Sequence, residues 1–138
     1  VGVGPELFEE FIFHYQQSLA EHFGMVYYGC CEPVDNRWPI IKRLENLRVV
    51  SISPWADTEV MAERLGGDYV FARKPYPSMI STGVFDEDAI RADIRQTLEV
   101  AGGQPLFFIM KDVHTLNHEP QRAARWVELA HEEIGIDA

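Results

Sequence analysis

Leu47-Arg48-Val49-Val50-Ser51-Ile52 runs into Ser53-Pro54-Trp55-Ala56-Asp57, and a helical pattern from Asp57 to Leu65 is then closed by Gly66-Gly67. The first six residues form an apolar run more than a clean alternation, the pattern of a strand covered on both faces in a parallel sheet. The same exchange of strand for helix continues on either side. Upstream, Met25 to Tyr28 reads as a strand and Pro39 to Leu44 as a short helix. Downstream come a strand at Tyr69 to Ala72, a helix at Asp86 to Ala101 with Ile90, Ile94 and Leu98 on one face, and a strand at Leu106 to Met110. A last helix from Pro120 to Ile134 is expected to bury Ala124, Val127, Leu129 and Ile134, with Trp126 nearby. This order of elements is that of an α/β fold. Two architectures fit it, parallel βα units of a (β/α)8 barrel or an open flavodoxin-like sheet, and periodicity does not separate them.

The chain starts on a strong helical pattern. Leu7, Phe11, Tyr15, Leu19 and Phe23 recur at steps of four, and Phe8 and Ile12 widen the stripe. Pro5 suits the first helical position, Glu6, Glu9 and Glu10 suit the positive end of the helix dipole, and Gly24 suits the C-terminal cap. The opening Val1-Gly2-Val3-Gly4-Pro5 carries no initiator methionine and reads as the start of a piece of a longer polypeptide.

With 138 residues, 46% hydrophobic and 25% charged, the chain is expected to form one domain, 1–138, around one core. No apolar stretch approaches the length of a membrane span, and no basic start precedes an apolar block, so a cytoplasmic protein is the expectation. The formal charge of −10 repels a phosphate backbone, and the basic residues form no stripe. Nucleic acid and anionic membrane are thereby disfavoured as partners. No glycine-rich phosphate loop follows the first strand.

Both candidate architectures place ligands at the C-terminal ends of their strands. There the sequence puts Cys30-Cys31-Glu32 after the first strand, Trp55 and Asp57 after the second, Arg73-Lys74 after the third, and Lys111-Asp112-Val113-His114 after the fourth. Adjacent Cα atoms lie about 3.8 Å apart, less than the roughly 4.4 Å at which unstrained disulfides begin, so Cys30 and Cys31 are read as reduced thiols. Thiol, carboxylate and imidazole are also the zinc-ligand set, which makes Cys30, Cys31, Glu32, Asp112 and His114 metal candidates. Arg73, Lys74 and Lys111 suit an anionic group, and Trp55 suits a cover for apolar surface. Asp57 is read as a helix N-cap. His14, His22, His118 and His131 are read as surface residues.

The run Phe11 to Tyr15, the block Tyr28-Gly29-Cys30-Cys31-Glu32-Pro33, the segment Ile52 to Asp57, Arg73-Lys74-Pro75 and Lys111-Asp112 resemble the C-terminal part of uroporphyrinogen-decarboxylase-like proteins. That superfamily includes zinc-dependent corrinoid methyltransferases. The resemblance implies a (β/α)8 barrel of which this chain is the C-terminal half. It also implies methyl transfer to a thiol or corrinoid acceptor once the N-terminal half completes the barrel, with zinc as cofactor and a corrinoid protein as partner. Cys30 or Cys31 then matches a ligand of the family's His-x-Cys element, with Tyr28 standing where the histidine is expected. No cysteine stands at the later strand end, where Asp112 or His114 would substitute. The other function class open to the chain is a noncatalytic ligand-binding or assembly half barrel that associates with itself, because four parallel strands leave edges to cover.

Overall fold

The computed structural model describes residues 2–136. Four parallel strands, β1 (Val26–Tyr28), β2 (Leu47–Ile52), β3 (Val70–Arg73) and β4 (Leu106–Phe108), form one sheet in the order β1-β2-β3-β4. Every step between neighbours goes in the same direction, so right-handed crossovers keep the connecting helices on one face. A flavodoxin-like order places the first strand inside the sheet, whereas β1 here is an edge.

The helices are α1 (Pro5–Phe8), α2 (His14–Ala20), α3 (Trp38–Ile41), α4 (Thr58–Leu65), α5 (Ser78–Ser81), α6 (Glu87–Ala101) and α7 (Gln121–Ile134). Helices α4 and α6 have clear start and stop signals. Asp57 and Asp86 each accept a hydrogen bond from a backbone N–H three residues on, at 3.0 Å, and Gly66 and Gly102 end the helices with left-handed φ of 56° and 57°. Each aspartate cap contributes about 1 kcal/mol.

Two apolar clusters lie between this helix layer and the sheet. The larger gathers Phe8, Phe13, Trp38, Ile41, Met61 and Leu65 on Leu47, Val50, Ile52 and Phe71. The smaller joins Ile80, Ile90, Ile94, Trp126 and Leu129, with Phe108 packed against it. An arginine–glutamate lattice clasps α6 to α7. Arg91 and Arg95 meet Glu133 at 2.7 and 2.5 Å, and Arg125 meets Glu87 through two contacts of 2.8 and 2.7 Å.

The first helical segment departs from the sequence reading. A π-helical stretch, Glu9–Phe13, separates α1 from α2. The extra residue per turn brings Phe8 and Phe13, five apart, onto the buried side, both 2% exposed. Leu7, Phe11, Tyr15, Leu19 and Phe23 are thereby left on the outside. The helix ends at Ala20, and Gly24 does not cap it. In α7, Leu129 is buried as expected and Trp126 is buried as well, but Ala124, Val127 and Ile134 are exposed.

The face of the sheet away from the helices carries Tyr27, Val49, Ser51, Ala72 and Phe107, as the register requires. Three inter-strand steps of about 4.8 Å separate the edge backbones by about 14 Å. The Tyr27 and Phe107 rings nevertheless meet edge to face at 6.3 Å. They lean inward over the two central strands, where Ser51 and Ala72 are fully buried.

Apolar grooves flank both edges. One of about 630 Å³ lies between α1–α2 and β1, lined by Leu19, Phe23, Met25 and Tyr27 among others. The other, about 480 Å³, lies along β4 and is lined by Phe107, Val127, Ile134 and Ile136 among others. Among the described residues, no helix is long and apolar enough to cross a membrane.

Candidate functional site

Parallel strands deliver their C-terminal ends to one rim, and the side chains there tie the first strand end to the third and fourth. Lys74 follows β3, and its Nζ donates to the Cys30 carbonyl at 2.7 Å. Lys111, beyond β4, donates from Nζ to the Cys31 Sγ at 3.3 Å. Both lysines thus converge on one dipeptide. The chain has only three lysines, so two of them stand at this rim.

Their surroundings differ. Lys74 is 2% exposed. Burial, and after it the Lys111 charge, pushes its ammonium below the usual lysine range, while Cys31 and Asp112 act in the opposite sense. Lys111 is exposed, and its hydrogen bond to the Cys31 sulfur holds its ammonium above the usual range. Cys31 is exposed and Cys30 half-buried.

An aromatic pair continues the rim. Trp55, after β2, meets Tyr76, after β3, edge to face at 6.0 Å, and the two rings are 58% and 39% exposed. Trp55 belongs to the set expected from the sequence, whereas Tyr76 does not. The signal for Tyr76 is an aromatic ring directly after Lys74-Pro75 at a strand end. Buried Ser53 fixes the turn below Trp55 by accepting from the Trp55 N–H at 3.2 Å.

Not every strand-end residue faces the rim. Arg73 ends β3 on the helix side of the sheet, where its Nη2 meets Asp93 of α6 at 3.2 Å and its Nη1 donates to the Lys74 carbonyl. Its guanidinium is committed to the interior. Glu32 pairs with Arg37 at 3.3 Å, beside the N-terminal helical segment. Asp57 caps α4. Asp112 takes a left-handed φ of 62° and turns the chain beyond Lys111. His114 lines a separate shallow hollow with Val113, His118 and Glu119.

Among the described residues, no three His, Cys, Asp or Glu side chains come together as a group able to hold a metal. What stands on the Cys31 sulfur is an ammonium, and a second cation there meets like-charge repulsion. The set Cys30, Cys31, Glu32, Asp112 and His114 is thus not gathered into one ligand group among the described residues. The rim offers an exposed ammonium, an exposed thiol, an enclosed lysine and an exposed aromatic pair after the two central strands. An exposed ammonium at the rim suits an anionic group. Comparison of the chain with protein-family models, curated proteins and solved structures gives no match.

Proposed function

We propose that this chain is the C-terminal half of a uroporphyrinogen-decarboxylase-like (β/α)8 barrel and that its rim binds a small anionic substrate, with methyl transfer to a thiol or corrinoid acceptor as the reaction of the completed barrel. The observation that carries this reading is the convergence of Lys74 and Lys111 on Cys30-Cys31 at the C-terminal rim of four sequentially ordered parallel strands. Barrel enzymes place their chemistry at that rim. In this reading Lys111 pairs with the anion, Trp55 and Tyr76 cover the apolar part, and Cys31 lies within reach of a reacting group. Zinc and a corrinoid protein are what the completed barrel would recruit. No step within this chain is assigned to either.

The probe is 2-mercaptoethanesulfonate, which combines a thiol with a permanent anion, followed by isothermal calorimetry. Lys111→Met is expected to weaken binding roughly tenfold or more, since a hydrogen bond to a charged group is worth about 1.5–3 kcal/mol. Equal affinity in the wild type and the variant would remove Lys111 from the site.

A second reading, an assembly half barrel, is favoured by the two edge grooves. Among the described residues, β1 and β4 each pair with a strand on one side only, beside half-exposed apolar side chains, a surface that seeks a partner. Light scattering is expected to show a mass that rises with concentration, and Phe23→Glu together with Met25→Glu is expected to return it to that of the monomer. A constant monomer mass in the wild type refutes self-association.

A further inference from the structure

The N-terminal helical segment is apolar on two sides. Phe8, Phe13 and Ala20 belong to the larger cluster, whereas Leu7, Phe11, Tyr15 and Leu19 face out, with Phe23 just past the helix end. A step of four overshoots an α-helical turn of 3.6 residues and falls short of the wider π turn, so the two errors offset across Glu9–Phe13. The π stretch thus holds the outward residues in one line along the segment. Met25 and Tyr27 continue the patch at the β1 edge. We propose that this line is the seam of a homodimer, in which two copies pack their N-terminal helical segments antiparallel about a twofold axis at Tyr15.

Area points to a second copy as the occupant. The seven side chains of the patch are between 45% and 70% exposed. At about 150 Å² or more for a side chain of this kind, they offer roughly 600 Å² of apolar surface per copy. That reaches the top of the range for the largest patch on a monomer, roughly 300–600 Å². Two such faces together bury about 1,200 Å², the area at which stable interfaces begin.

The polar flank of the line decides the direction. One residue before each member stand Glu6, Glu10, His14, Ser18 and His22, all exposed. The carboxylates lie at the N-terminal end of this flank, and Ser18 and His22 at the other. Antiparallel packing about Tyr15 sets Phe11 against Leu19 of the partner subunit and brings Glu6 and Glu10 beside Ser18 and His22 of the partner subunit. Parallel packing sets each carboxylate on its own copy, a like-charge contact that opposes association. The face is therefore complementary to itself, as a twofold contact requires. The pairing rests on the self-association reading, to which it adds the face, the direction and the stoichiometry, and it uses no residue of the rim.

Sedimentation equilibrium tests the face. The chain is expected to follow a monomer–dimer equilibrium that stops at the dimer, because a twofold contact is used up once. Phe11→Glu with Tyr15→Glu is expected to weaken the dimer roughly 100-fold or more. Both side chains are exposed in the monomer, so circular dichroism should match the wild type. Val127→Glu, in the groove at the opposite edge, should leave the dimer unchanged. Cross-linking tests the direction in a background with Cys30→Ser and Cys31→Ser, using a short bis-maleimide. Tyr15→Cys is expected to link to itself, while Phe11→Cys and Leu19→Cys link faster when mixed than either does alone. A monomer at every concentration overturns the self-association reading and the pairing together. Association that survives the double glutamate variant, or that grows beyond the dimer, leaves self-association standing and overturns the pairing. Self-linking at positions 11 and 19 that outpaces their mixture means parallel packing and overturns it as well.

Discussion

Phe71→Ala is expected to remove about 3–5 kcal/mol of folding stability, a large part of what a domain of this size possesses. Phe71 is completely buried in the interior strand β3, aligned with Val50 on one side and Leu106 on the other. It packs in the larger cluster with Leu47, Val50 and Ile52 of β2 and with Leu65 of α4. Truncation leaves a cavity between two layers that cannot collapse without shifting the sheet. Phe107 is the control. It lies on the opposite face, 38% exposed, so Phe107→Ala is expected to cost under about 2 kcal/mol, the lower part of the range for burying such a side chain. Urea unfolding of both variants checks the ranking. A larger loss at Phe107 than at Phe71 would mean that the main core lies on the face away from the helices.

The second large effect has the opposite sign. Replacing both members of the Arg73–Asp93 pair by apolar side chains, Arg73→Met with Asp93→Leu, is expected to leave stability unchanged or raise it by up to about 4 kcal/mol at neutral pH. The pair is incompletely satisfied, since neither Arg73 Nε nor Asp93 Oδ2 has a hydrogen-bond partner among the described residues. Burial pushes the Asp93 carboxyl up and the Arg73 guanidinium down, each toward its neutral form, against their mutual attraction. A carboxyl whose folded pKa lies above the unfolded one contributes stability that is complete below the unfolded pKa and lost as pH rises through the folded one. The gain in the double variant should therefore grow as pH rises through the region just above the ordinary aspartate range. Glu87, Glu119, Glu132 and Glu133, held down by arginine partners, act in the other sense, and their contribution disappears as pH falls through their lowered values. Urea midpoints across the acidic range separate the two. A gain that shrinks with rising pH would show that the ion pair stabilises the fold. Because Arg73 points away from the rim, the double variant should bind anions as the wild type does.

Much of this architecture is legible in the sequence because its signals are local. Asp57 with Gly66 and Asp86 with Gly102 frame two helices by capping chemistry alone, and the apolar runs mark all four strands to within two residues. The N-terminal segment defeats the same approach for a physical reason. Steps of four identify an α-helical stripe, and the π-helical stretch Glu9–Phe13 changes the phase so that a different set of side chains faces inward. Val127 and Ile134 fit the apolar pattern of α7 but line the groove beside β4, where the described residues supply no cover. At the rim, Cys31, Lys74 and Lys111 can be anticipated because parallel strands end together. Arg73 cannot, since one step along a strand reverses the face and its partner lies on a helix twenty residues later. His114 follows the same strand end as Lys111, but the left-handed turn at Asp112 intervenes and it lines another hollow.

The three tryptophans divide among the parts of the molecule in a way that makes the chain its own optical reporter. Trp38 is buried in the larger cluster, with its ring against Tyr69 at 5.2 Å, and Trp126 is buried in the smaller one. Trp55 alone stands in solvent. Emission from the first two is blue-shifted while their surroundings hold, and each reddens when its own cluster opens. Variants that keep one indole apiece therefore separate the unfolding of the β1–β3 side from that of the α6–α7 side. Coincident midpoints would make the domain a single cooperative unit, and separated midpoints would make it two, divided along β3.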